Sequence, residues 1–152
     1  MKTICIYHGN CADGFAAAWV VRRALGENNV EFVAGVYQTP PPATRDRDVI
    51  LVDFSYKRPV LEGIISTAKS VTILDHHKTA EEDLRGLAGA ETVFDMSRSG
   101  AGITWDYFFP GDPRPQLLNH IEDRDLWRFV LPGTRQIQAS VFSYPYDFAL
   151  YD

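Results

Sequence analysis

Three apolar runs in this chain stop on side chains that ligate metals. Residues 71–74 run into Asp75-His76-His77. Residues 3–7 run into His8, with Cys11 and Asp13 close behind, and residues 49–52 run into Asp53. In an open α/β sheet, ligands gather outside the carboxyl ends of the strands. Three strand ends that supply Asp and His to one place therefore read as a metal site that does chemistry. The convergent set is Asp13, Asp53, Asp75 and Asp123 with His8, His76 and His77. Mn²⁺ and Mg²⁺ prefer oxygen ligands, and Mn²⁺ also accepts imidazole. Two such ions about 3.5–4 Å apart form the clamp used for in-line displacement at phosphorus. Asp53 is the candidate to bridge both ions, because its strand is expected between the other two.

The elements that must position these groups follow from the apolar pattern. Strands are expected at 3–8, 30–37, 48–54, 70–74 and 92–94. Helices are expected at 13–25, 59–68, 80–87, 101–109 and 116–127, with Gly26 closing the first and Pro59 opening the second. Pro40-Pro41-Pro42 forces a loop. The early βαβ alternation and the continuous apolar run 49–52 predict an α/β fold, a parallel sheet covered by helices on both faces. Helices dominate the last third, and 131–152 show no clear period.

At 152 residues the chain is long enough for one domain with a real core. It is 45% hydrophobic and 23% charged, ordinary for a globular protein. The net charge of −5 and pI near 5.3 argue against a broad surface for duplex DNA. They leave open a small phosphorylated substrate, because divalent ions reverse the local sign of an acidic cleft. No run reaches the roughly 18 apolar residues of a membrane span, and the N-terminus does not read as a signal peptide; the expectation is a cytoplasmic protein without membrane partners. Cys5, inside the first strand, reads as a buried small hydrophobe rather than half of a disulfide. Trp105 and Trp127 read as core, His120 as a helix-surface residue, and Arg124 and Arg128 as surface charges or ion-pair partners.

Four segments, His8-Gly9-Asn10-Cys11-Ala12-Asp13-Gly14, Val52-Asp53-Phe54-Ser55, Asp75-His76-His77 and Glu122-Asp123-Arg124-Asp125-Leu126-Trp127, follow in an order that resembles the DHH phosphoesterases. That family includes RecJ-type exonucleases, oligoribonucleases, cyclic-dinucleotide phosphodiesterases and exopolyphosphatases, and the resemblance covers nearly the whole chain. It implies a DHH-type domain over 1–130, with an α/β core about 1–96 and a helical part about 97–130. Residues 131–152 would be a linker or the start of an absent C-terminal substrate-binding domain. It further implies a hydrolase that cleaves a phosphodiester or phosphomonoester of a small nucleotide, a short oligonucleotide or a polyphosphate through a hydroxide activated by two metal ions. One Mn²⁺ would be held by His8, Cys11 and Asp53, the second by Asp13, Asp53, His76 and Asp123. His77 would stabilise the attacked phosphate or donate a proton to the leaving oxygen. Asp75 would orient a histidine.

Cys11 stands where the family usually carries an aspartate. A thiolate favours Zn²⁺ or Fe²⁺ over Mn²⁺ or Mg²⁺, and a protonated thiol is a poor ligand. The alternative is therefore a degenerate domain that binds nucleotide or phosphate without efficient hydrolysis. Ser97-Arg98-Ser99-Gly100 opens a helix whose N–H groups could hold a substrate phosphate, a role the resemblance supports, although Ser99 equally suits a plain N-cap. Lys78, beside the triplet, either reaches a phosphate or is a solvated charge. A receiver-like signalling module with Asp53 as phosphoacceptor is the reading from another class; it lacks a paired carboxylate after the first strand and has no use for a His-His doublet. Oligomeric state is not legible in the sequence.

Overall fold

Continuous apolar runs demand cover on both faces of the sheet. The computed structural model describes residues 2–9 and 11–126. In chain order they form β1 (Thr3–His8), α1 (Ala12–Leu25), β2 (Val30–Gly35), β3 (Asp48–Val52), α2 (Arg58–Thr67), β4 (Ser70–Asp75), α3 (Lys78–Asp83), β5 (Glu91–Phe94), α4 (Gly100–Phe108) and α5 (Gln116–Asp125). Asn10, Trp127, Arg128 and the segment 131–152 lie outside the described residues.

The five strands are all parallel, in the order β2-β1-β3-β4-β5. Ile4 and Ile6, Val49 and Leu51, and Val71 and Ile73 point to one face, where they meet Leu61 and Ile64 of α2 and Leu84 just beyond α3. Cys5, Ile50, Val52 and Leu74 point to the other, under α1, α4 and α5. α1 is buried without a break from Ala12 to Val21. Its small side chains Ala16, Ala17 and Ala18 let sheet and α4 approach closely. Gly14 serves the same closeness, since a Cβ there would land on the carbonyl oxygen of His8.

β3 lies between β1 and β4, as expected. The expected strand 48–54 ends early, at Val52, because Asp53 turns into the left-handed region (φ 54°) and cannot continue the pleat. The strand expected to reach 37 stops at Gly35, and the helix expected at 80–87 begins directly behind the histidine pair, at Lys78. Trp105 is core: its ring stacks on Phe109 with centroids 4.3 Å apart, and its Nε1 donates to the Asp112 carbonyl at 3.1 Å. His120, expected on a helix surface, is buried beside Leu118 and Ile121 on the inner side of α5. Cys5 is buried, and both cysteines are free thiols. Among the described residues no helix is long and apolar enough to cross a membrane.

Candidate metal centre

Register decides where the ligand groups meet. Tyr7 pairs with Val52, and Val52 with Leu74, so the next residues along, His8, Asp53 and Asp75, leave the sheet in one row. The left-handed backbone of Asp53, a conformation Asp tolerates better than most residues, accompanies a carboxylate that is 1% exposed. Asp53 Oδ2 lies 3.5 Å from both His8 Nδ1 and Cys11 Sγ, and Oδ1 lies 2.9 Å from His76 Nε2. His76 Nε2 also lies 3.4 Å from Asp13 Oδ2 and 3.3 Å from Asp125 Oδ2. Two ligand sets result, His8–Cys11–Asp53 and Asp13–His76–Asp125, each with its donor atoms within 4.8 Å of one another. Asp53 also belongs with Asp75, His76 and His77 in a further set of the same kind.

Three buried polar atoms here have no hydrogen-bond partner among the described residues: His8 Nδ1, Asp53 Oδ1 and Asp75 Oδ2. The His76 approach to Asp53 Oδ1 is short but lies off the axis of a hydrogen bond. Each such buried orphan costs about 1–3 kcal/mol. Three of them within one cluster of oxygen, imidazole and thiol donors fit a divalent cation, which takes that donor set without needing hydrogen-bond geometry.

The charges argue the same way. Burial pushes the Asp53 carboxyl up, but the imidazoles of His76 and His8 outweigh it and hold it down at about 2. Asp13 is pushed well above the usual carboxylate range by burial and by the charges of Asp53 and Asp125, against the pull of two backbone N–H groups. Burial also raises Asp125. Burial, then the Asp53 charge, pushes the Cys11 thiol up to about 12, so the sulfur keeps its proton at neutral pH unless a cation displaces it. His76 loses to burial but gains more from Asp53, and ends raised. His77 Nδ1 sits 2.6 Å from Asp75 Oδ1, and this contact carries its pKa to about 9. Asp75 Oδ1 accepts the His76 backbone N–H as well, at 2.8 Å. Asp75 thus orients the histidine pair from a fully buried position, and His77 remains a partly exposed imidazolium able to give up a proton.

Two expectations are corrected. Asp125 rather than Asp123 joins Asp13 and His76 in a ligand set, while Asp123 is buried on another side of α5. Residues two apart on a helix point about 200° apart, so the two carboxylates cannot share one direction. The signal was present: Leu118, Ile121 and Asp125 form one helical stripe, at i, i+3 and i+7, and the first two are buried. The second correction concerns 97–100. The N–H of Ser99 donates to Glu122 Oε2 at 2.9 Å, those of Gly100 and Ala101 to the two Asp13 oxygens at 2.8 Å, and that of Gly102 to Ser99 Oγ at 3.0 Å. The N-terminus of α4 is filled by this chain's own carboxylates and has no free N–H for a phosphate there. Arg98 is held by Asp95 and Asp106, Ser97 by Asp95, and Ser99 is an N-cap. Gly100 is needed because a Cβ there would meet Asp53 Cβ at 2.5 Å. Lys78 is exposed at the start of α3.

No family model matches the chain. Over 172 aligned positions it is 32% identical to an uncharacterized protein of Acanthamoeba polyphaga mimivirus. The match takes in 98% of this chain and 39% of the length of that relative.

Proposed function

We propose that the chain is a metal-dependent phosphoesterase domain of the DHH type, acting on a phosphodiester or phosphomonoester of a small nucleotide, a short oligonucleotide or a polyphosphate. The observation that carries this reading is Asp53, a buried carboxylate at the middle strand end that touches both ligand sets while one of its oxygens is left without a hydrogen bond. His8 and Cys11 would complete one cation site with Asp53, and Asp13, His76 and Asp125 the other. Mn²⁺ is the ion proposed, with Mg²⁺, Zn²⁺ or Fe²⁺ as the competitors that Cys11 invites. When bound, such ions activate water and offset charge at phosphorus. Asp75 keeps His77 protonated, and His77 donates that proton to the leaving oxygen.

The test is calorimetric titration of the 152-residue chain with Mn²⁺, with Asp53→Ala as control, followed by p-nitrophenol release from bis(4-nitrophenyl) phosphate. Two bound ions, both weakened in the variant, and hydrolysis lost with them support the reading; intact two-ion binding in Asp53→Ala removes the shared carboxylate from it. The protonated Cys11 thiol favours a second reading, a domain that binds nucleotide or phosphate without efficient hydrolysis. Cys11→Asp separates the two: a sharp rise in hydrolysis marks the degenerate domain, whereas no gain marks Cys11 as a working ligand.

A further inference from the structure

Beside His77 a cleft of about 300 Å³ opens against Tyr37, Tyr56 and Lys57. The same three residues line a second cleft of about 560 Å³ that continues over Pro40, Pro41 and Val60. Together they make one groove leading away from the histidine, each part of a size common for small-ligand sites. Its polar and apolar parts are unevenly placed. The end at His77 belongs to the metal centre, while the far end is mostly aromatic and aliphatic, with Gln38 and Thr39 beside the prolines.

Tyr37 is the conspicuous residue. Its ring lies 5.5 Å from the His8 ring and 4.8 Å from that of Phe54, which is fully buried and meets Tyr56 edge-on at 5.0 Å. The ring is therefore backed by a fixed aromatic support, yet Tyr37 remains 49% exposed. An aromatic residue backed on one side and open on the other is what a flat π-system stacks on, and every nucleobase presents such a face. A polyphosphate would instead call for a lane of cations, and beyond the His77 imidazolium Lys57 is the only cationic residue lining either cleft among the described residues, with Asp83 carrying the opposite sign. In a chain of net charge −5, that exposed lysine suits the phosphate of a nucleotide lying along the groove.

We infer that this groove holds the nucleoside on the leaving side of the scissile phosphate, with its base stacked on Tyr37, a role that rests on the phosphoesterase reading. The site would then prefer base-bearing phosphoesters over polyphosphates, and Tyr37 would set that preference without taking part in bond cleavage.

The experiment compares AMP with ribose 5-phosphate, which carries the same phosphate and sugar but no base. Binding of each to the Mn²⁺-loaded 152-residue chain is measured by calorimetry. AMP is expected to bind about tenfold tighter, the usual scale of base–aromatic stacking. Tyr37→Leu should bring AMP down to the affinity of ribose 5-phosphate, with Mn²⁺ uptake intact, and Tyr37→Phe should keep the preference. Equal affinities in the unaltered chain, or an AMP preference that survives Tyr37→Leu, overturn the subsite alone. If the Mn²⁺-loaded chain binds neither phosphate, the phosphoesterase reading fails and the subsite goes with it.

Discussion

Around α4, Asp95, Asp106 and Glu122 are held by arginines; at the strand ends, Asp13, Asp53, Asp75 and Asp125 face imidazoles and a thiol. In the first region Arg98 reaches Asp95 at 2.8 Å and Asp106 at 3.0 Å, while Arg114 reaches Asp106 at 2.7 Å and Glu122 at 2.9 Å. The Ser97 hydroxyl and N–H, then Arg98, hold Asp95 down at about 2. Burial works against Asp106, but its two arginines overcome it and leave it lowered. In the second region two of the four carboxyls are raised, and three polar atoms stay unpaired among the described residues. Acids that carry their own cations close a structure. Acids whose partners are imidazoles and a thiol, themselves able to ligate, leave room for a cation from outside.

Asp13 belongs to both regions, and it gives the largest expected effect. Its carboxylate satisfies two buried N–H groups of α4 and also faces His76. Asp13→Ala should cost about 3 kcal/mol, since unmet buried donors cost about 1–3 kcal/mol each. Urea unfolding of the metal-free chain measures it. A cost well below 1 kcal/mol would make Asp13 a ligand only and divide the two regions cleanly.

A smaller effect is expected from Arg114→Met, which takes one of its two arginines from Asp106 and breaks the Glu122 ion pair in a partly solvated place. About 1 kcal/mol should be lost, with Mn²⁺ uptake unchanged. Loss of Mn²⁺ binding in this variant would show that the arginine clasp and the centre are one system.

The smallest effect is a pH dependence. The folded-state pKa of His77, about 9, lies above the ordinary value of 6.5. Its contribution to the stability of the metal-free chain is therefore fully present below pH 6.5 and lost as the pH rises through 9. The imidazole is about a third exposed, so solvent screening keeps the change modest. NMR titration should follow His77 directly, and Asp75→Asn should move its midpoint back toward 6.5. An unmoved midpoint would break the Asp75–His77 pair.

Much of the centre was legible because strand ends are legible. A continuous apolar run fixes a parallel strand, and whatever follows it must emerge at the carboxyl edge. That logic places His8, Asp53 and the Asp75-His76-His77 triplet together, and it ranks Asp53 in the middle. It works less well on helices, where a shift of two residues reverses direction, and so the motif points to Asp123 where Asp125 arrives. It fails for the N-terminus of α4. Free N–H groups could be foreseen there, but the carboxylate that fills them comes from Asp13, 87 residues away from Gly100. Nor does any local pattern announce the left-handed backbone of Asp53, which is held in place by the packing around it.

The placement of Asp125 in the last turn of α5 bears on how the protein is made. His8, Cys11, Asp13, Asp53 and His76 all leave the ribosome before it, and the sheet that aligns them can form without it. One candidate ligand set, His8–Cys11–Asp53, is then complete early in synthesis, while the other waits for α5 to dock. A nascent chain would meet cellular ions in two stages, the later one opening only after more than 110 residues separating Cys11 from Asp125 have been translated and folded.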